Sequence, residues 1–278
     1  MADAHDTPAV EAAQQAQLAQ RNLIAFNRAL TRWASKGALE ESDGAVFCAG
    51  GTWIPVVANG AFRDDDAISG TELVSRAEAF FGGLARGYSV KVRDNGEDED
   101  VRRACEAAGL ATFGDPTPEM LCAAPLPDVA VPDGLTLRRV DDEAGLREFL
   151  AVNAEAYATY GMPAGVIGEL FDETAVVLAD PAAHFAVATR GPQPLAAAMI
   201  YESDGVASVQ WVGTVPAARG TGLGASVTTF VTNLAFARGA SSVSLQASPM
   251  GAPIYLALGY QTIWHYAEYV RWPKPPAR

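Results

Sequence analysis

Apolar and polar positions change period several times along the chain. Leu18, Ile24, Phe26, Leu30 and Trp33 recur at helical spacing, so residues 10–35 read as a helix behind a frayed tail over 1–9. Residues 45–48 and 53–59 read as strands. Ser69 stands three places before Glu72, the capping-box arrangement, and opens a helix reaching to about Ala85. Tyr88–Arg93 alternates as a strand. Residues 97–108 form a helix stopped by Gly109, with the acids Asp98–Asp100 at its dipole-positive start, and 119–123 a closing strand.

Pro125, Pro127 and Pro132 mark a linker over 124–133. Beyond it the order recurs: strand 135–140, helix 143–157, and a short helix over 164–173 after Pro163. Residues 185–189, 196–201 and 207–215 read as consecutive antiparallel strands with turns at Gly191-Pro192 and Asp204-Gly205. A glycine-rich turn, helix 225–237, strand 242–247, helix 252–258 ended by Gly259, and strand 261–270 complete the chain. Two domains are expected, 10–124 and 133–272. Local similarity suggests duplication: Leu84-Ala85-Arg86-Gly87 mirrors Phe236-Ala237-Arg238-Gly239, and each copy later stops a helix at a glycine, Gly109 or Gly259.

The 278 residues, 49% hydrophobic, can build a proper core. Net charge is −13, with residues 1–130 holding 20 acids against 11 bases. Such a surface repels nucleic acid and anionic membranes, and a cationic or neutral substrate suits it better. Cys48, Cys105 and Cys122 show no CxxC spacing, which argues for reduced thiols and against a metal site. The acidic start Met1–Asp6 lacks the apolar core of a signal peptide, and no run is long enough to span a bilayer, so a cytoplasmic protein is expected.

Candidate chemistry centres on Arg219-Gly220-Thr221-Gly222-Leu223-Gly224, between a strand and a helix. Alternate glycines let backbone N–H groups converge beside the positive end of a helix dipole, and Arg219 adds a forked donor; the ligand expected there carries a phosphate or diphosphate. There is no GxGxxG and no Gly-Lys-Ser/Thr, which disfavours dinucleotides and nucleoside triphosphates. Aligning Arg86 with Arg238 lays 67–72 over this turn. The arginine and two glycines are lost there, and Glu72 and Asp64–Asp66 bring carboxylates. At an effective dielectric near 20, a carboxylate ~4 Å from a phosphate charge costs roughly 4 kcal/mol, so the first half is expected to be a scaffold or a wall of the acceptor site.

Residues 133–272 resemble the GNAT superfamily of acyl-CoA N-acyltransferases. The carrying motifs are Val215-Pro216-Ala217-Ala218-Arg219-Gly220-Thr221-Gly222-Leu223-Gly224 and Ser248–Tyr260, which includes Tyr255-Leu256-Ala257-Leu258-Gly259-Tyr260. The whole chain is similar to a tandem GNAT protein of the mycothiol-synthase type with a degenerate first copy. The resemblance implies an α+β fold whose mixed, mostly antiparallel sheet is flanked by helices and split between two parallel strands. It implies acetyl-CoA or another acyl-CoA as co-substrate, no metal, and direct transfer to a primary amine. Gly213 and Val215 would pair with the pantetheine arm, 219–224 would hold the diphosphate, and Tyr255 would stabilise the leaving thiolate. The acceptor is a small amine or a peptide amine, and a homodimer is compatible with the pattern. A CoA-sensing protein without catalysis is the rival from another class.

Full proton donation from Tyr255 to a thiolate is uphill by about 2 kcal/mol at ordinary pKa values, so hydrogen-bond donation is its expected role. Residues 206–215 contain no acid to serve as base. Glu155, Glu169, Asp172 and Glu173 lie on helices expected to cover the acceptor and could end a water chain, whereas Glu202 and Asp204 sit too near a turn. Trp211, Tyr157 and Tyr160 either line the acceptor pocket or pack in the core. His184 and His265 read as structural, His5 as tail, and Cys105 as core.

Overall fold

A computed structural model of the protein describes residues 7–273 except Asp66, Ala130 and Pro132. The start of the tail with His5, one acid of the 64–66 run and one linker proline therefore lie outside the described residues. In chain order the elements are α1 (Thr7–Arg32), β1 (Ala38–Ser42), β2 (Ala45–Ala49), α2 (Pro55–Ala58), β3 (Asn59–Arg63), α3 (Gly70–Gly83), β4 (Tyr88–Arg93), α4 (Glu99–Ala107), β5 (Ala111–Thr112) and β6 (Thr117–Cys122). There follow β7 (Thr136–Val140), α5 (Glu143–Ala158), α6 (Val166–Leu170), α7 (Thr174–Ala179), β8 (Ala183–Arg190), β9 (Gln193–Ser203), β10 (Val206–Thr214), α8 (Leu223–Ala237), β11 (Val243–Gln246), α9 (Ala252–Leu258) and β12 (Gln261–Arg271). The class is α+β, with mixed parallel and antiparallel pairing.

Three expectations need correction. Residues 53–59 are not one strand. Pro55 opens a helical turn, where its fixed φ and missing N–H cost nothing, and the strand starts at Asn59. The Asn59 side chain secures that turn, donating to Thr52 O at 2.9 Å and Ile54 O at 3.1 Å and accepting from Gly50 N at 3.1 Å. The helix expected over 164–173 breaks at Phe171 (φ −128°), leaving α6 and α7 on either side. Helix α1 begins at Thr7, inside the stretch read as tail.

Two compact units interleave along the chain. The first takes the described residues within 1–25, 120–162 and 180–263; the second takes those within 26–119, 163–179 and 264–278. The expected boundaries 10–124 and 133–272 follow chain order, which these units do not.

In the second unit β1, β2 and β3 are antiparallel neighbours, β4 runs parallel to β3, and β12 pairs with β4 over Tyr266–Arg271. Phe47, Leu73, Phe81, Tyr88, Val90 and Cys105 form its core, with the Phe81 and Tyr88 rings stacked at 4.9 Å. The α3 N-terminus is closed by its own chain: Ser69 Oγ accepts from Glu72 N at 3.2 Å and Asp100 Oδ2 from Gly70 N at 2.6 Å. A carboxylate already occupies the position where an anion would meet this helix dipole.

In the first unit β7, β8, β9 and β10 form an antiparallel ladder, and β11 lies parallel to β10. Asp204 and Gly205, at φ 50° and 74°, turn β9 into β10 tightly. Helix α5 buries Leu146, Phe149 and Val152, and Phe149 meets Phe185 of β8 edge-on at 5.0 Å. Helix α8 buries Val227, Val231 and Ala235.

Candidate functional site

The site begins with a fault in β10. Gln210 faces Met199 and Gly213 faces Ala197, so Trp211 and Val212 together oppose one residue of β9. This is a β-bulge, and it holds Trp211 at φ 52°, a left-handed conformation that costs a non-glycine residue about 1–3 kcal/mol. Parallel pairing of β10 with β11 covers Ala207–Val243 and Ser208–Ser244, before the bulge. Beyond Ser208 the two parallel strands are no longer paired, which leaves a gap in the ladder between them.

Side chains beyond the bulge point alternately to two helices. A Cβ on Gly213 would meet Asn153 Oδ1 of α5 at 2.8 Å and Ala156 Cβ at 3.2 Å, so this glycine permits close approach of α5. Thr214 points to the other face, where its Oγ1 lies 3.6 Å from the Cβ position of Gly224 at the start of α8. The amides alternate as well. Val215 N donates to Leu195 O at 2.9 Å and its carbonyl accepts from Ala218 N at 2.9 Å. Both backbone groups of Val215 are thus engaged inside the unit, and the ladder's alternation directs Gly213 to β9 also. By the same alternation the backbone of Thr214 turns away from β9, and its carbonyl accepts from Arg219 Nε at 3.3 Å.

The glycine turn follows a short 3₁₀ turn, Pro216–Ala218. Gly220 and Gly222 sit at φ 75° and 86°, and nothing lies within 4 Å of a Cβ on either, so backbone conformation rather than space calls for glycine. Gly222 is the N-cap of α8 and supplies no side-chain cap; the first helical bond runs from Ser226 N to Gly222 O at 3.0 Å. The amides of Leu223, Gly224 and Ala225 therefore lack an intrahelical acceptor and converge, with the helix dipole, on the space in front of the turn. Thr221 Oγ1 closes the turn from behind, donating to Ala218 O at 2.7 Å.

Arg219 is placed differently from the expectation of a free fork. Its guanidinium donates to Thr159 Oγ1 at 2.8 Å, Ala156 O at 3.1 Å and Thr214 O at 3.3 Å. It ties the C-terminal end of α5 to the end of β10. Its charge remains at the turn, while its donors are engaged by the protein.

In front of the turn lies a cleft of about 380 Å³. Its walls include Tyr157, Tyr160, Thr214, Gly222, Met250 and Tyr255. Tyr255 projects from α9 and is 8% exposed; a Cβ on Gly251 would strike its ring at 2.8 Å. Burial, reinforced by Tyr160 and opposed by the Thr228 hydroxyl, pushes the Tyr255 phenol up to about 12. Burial also raises Tyr157. Tyr157 packs edge-on against Trp211 at 5.2 Å and lies 6.0 Å from Tyr160, whose hydroxyl reaches Met250 Sδ at 3.7 Å. The two tyrosines line the cleft, and the bulged tryptophan supports one of them.

Among the described residues lining the cleft none is Asp, Glu or His. Glu155 is exposed on α5. Glu202 binds Arg238 at 2.8 Å and His184 at 3.3 Å; burial lowers the His184 pKa. Glu169, Asp172 and Glu173 belong to the second unit, where Asp172 accepts from Ser35 N at 2.7 Å. His265 pairs with Asp94 at 3.1 Å. All three cysteines are buried and unbridged. No cluster among the described residues suits a metal ion, and no described helix is long and apolar enough to cross a membrane.

The first unit is thus an α+β unit whose glycine turn opens onto the cleft. Residues 130–251 match the family described as acetyltransferase (GNAT) domain. This stretch is similar to that family, whose described activity is acetyl transfer. The fold extends over most of the chain in solved structures. A GCN5-related N-acetyltransferase from Kribbella flavida is 20% identical, with 94% of this chain and 96% of that one covered and a TM-score of 0.67. A second, from Sphaerobacter thermophilus, is 18% identical over 86% and 84%, with a TM-score of 0.63. A tandem GNAT protein from the clavulanic acid biosynthesis pathway is 13% identical over 88% and 86%, with a TM-score of 0.59. None of the curated proteins compared with the chain matches it in sequence.

Proposed function

We propose that the first unit transfers an acyl group, acetyl in the first instance, from acyl-CoA to a small primary amine by direct attack. The observation that carries this reading is the set of uncapped amides at the α8 N-terminus opening into a cleft walled by Tyr255. Gly220 to Gly224 would hold the diphosphate through backbone N–H groups, with Arg219 supplying charge and fixing the turn against α5. Thr214 would offer its amide to the pantetheine arm across the gap. Tyr255 would donate a hydrogen bond to the sulfur as negative charge develops there. With its phenol pushed up to about 12, outright proton donation to a thiol titrating near 8.5 is uphill by roughly 5 kcal/mol.

The cleft of about 380 Å³ beside Tyr157 is read as a site for a small amine; its rim at Tyr160 and Met250 is exposed, and a peptide amine is the second reading. The second unit is read as a degenerate copy, because Asp100 and Ser69 already satisfy its α3 N-terminus. Release of CoA thiol from acetyl-CoA across an amine panel tests the proposal. A lining without carboxylate or imidazole also fits a CoA-binding protein without catalysis, which would bind the co-substrate and release no thiol with any amine.

A further inference from the structure

We propose that the acceptor is a weakly basic amine on a planar, apolar body, of the arylamine class, which enters the cleft already uncharged. The inference rests on the acyl-transfer reading above and names the substrate class of that same site. Every element around the cleft points the same way. Helix α5 contributes Tyr157 and Tyr160, and α9 contributes Tyr255. Strands β10 and β11 and helix α8 contain no ionisable side chain. Arg219 is held by Thr159, Ala156 and Thr214; Glu155 is exposed, and Glu202 is paired with Arg238 and His184.

The Tyr255 and Tyr157 phenols stay protonated at neutral pH and offer protons rather than accept them. Where β10 and β11 part, the residues on the α5 face are Ser208 and Gln210 on one strand and Ser244 and Gln246 on the other. These are hydroxyls and amides, and Gln246 Nε2 is buried there without a partner. Gln210 Nε2 donates to Ser208 Oγ at 3.1 Å, none of the four is among the residues lining the cleft, and none could deprotonate a cation. The Arg219 guanidinium further disfavours an ammonium group in the cleft. The walls suit a flat apolar body: Tyr157 is fixed against Trp211, and Met250, in contact with Tyr160, is an adaptable surface.

In the step itself, the amine lone pair forms the C–N bond to the thioester carbonyl carbon and the C–S bond breaks. One amine proton ends on the departing sulfur, leaving amide and free thiol. An alkylammonium titrating near 10.4 is neutral in only about one molecule in 2,500 at pH 7, and the enzyme would have to wait for that fraction. A weakly basic amine is wholly neutral and carries no such penalty.

The test is kcat/KM with acetyl-CoA from pH 6 to 9 for an aniline and a benzylamine of matched size. The expected result is a flat profile for the aniline, a rise of about tenfold per pH unit for the benzylamine, and the aniline ahead at pH 7. A benzylamine profile that levels off below that amine's own pKa, or a benzylamine faster at pH 7, would overturn the inference alone. If neither amine is acylated at any pH while calorimetry shows CoA bound, the acyl-transfer reading falls and takes the inference with it.

Discussion

Arg219 donates to Thr159 Oγ1 at 2.8 Å, joining the head of the glycine turn to the last turn of α5. A residue expected to grip phosphate therefore also fixes the wall of the cleft. Arg219→Ala should lower stability by about 1–3 kcal/mol and weaken CoA binding, and Arg219→Lys should restore little, because one ammonium cannot reach three acceptors in a fork. In a thermal double-mutant cycle Arg219→Ala and Thr159→Val should couple by about 1 kcal/mol. Strict additivity would show that the contact does not act in solution.

Gly222 and Gly213 constrain the site for different reasons, which separates them experimentally. At Gly222 only φ is at issue, so Gly222→Ala should cost about 1–2 kcal/mol and disturb the amides facing the ligand. Gly213→Ala drives a Cβ into Asn153 and Ala156 and should cost about 1–3 kcal/mol by displacing α5. Calorimetric titration with CoA should show the larger loss of affinity for Gly222→Ala. Equal losses would argue against a ligand at the turn.

For Tyr255→Phe a fall in kcat of about 10- to 150-fold is expected, the worth of one hydrogen bond to a developing charge, with little change in KM for acetyl-CoA. Because the phenol is pushed up to about 12, no step assigned to it should titrate between pH 6 and 9. An unchanged kcat would remove Tyr255 from the mechanism.

Burial pushes the Cys48 and Cys105 thiols up to about 12 and raises Tyr157 and Tyr260. A raised folded-state pKa favours the protonated native state. The stabilisation is complete below the unfolded value and is lost as pH climbs through the folded one. The melting temperature should hold from pH 7 to about 8.5 and fall steeply above, each thiol contributing up to about 1.4 kcal/mol per pH unit until it ionises in the native state. A melting temperature unchanged to pH 11 would contradict these assignments.

Local patterns carried much of this protein into view. Alternation with Gly191 and Asp204-Gly205 at the turns located β8, β9 and β10, and Ser69 with Glu72 marked the start of α3. The polar, exposed strand β1 left no apolar signature and went unread. The bulge at Trp211 depends on the register against β9, which β10's own residues do not encode. That register also decides which amides face β9, and it engages Val215 N with Leu195 O. Two of Arg219's three partners, Ala156 and Thr159, lie at the end of α5, about sixty residues away and beyond the reach of any local pattern.

The most direct measurement is a crystal structure of the protein grown with acetyl-CoA. The account predicts diphosphate oxygens within about 3 Å of the amides between Gly220 and Ala225, with the thioester beside the Tyr255 hydroxyl. A diphosphate bound elsewhere, or a well-ordered turn with acetyl-CoA at saturating concentration and no ligand against it, would contradict it.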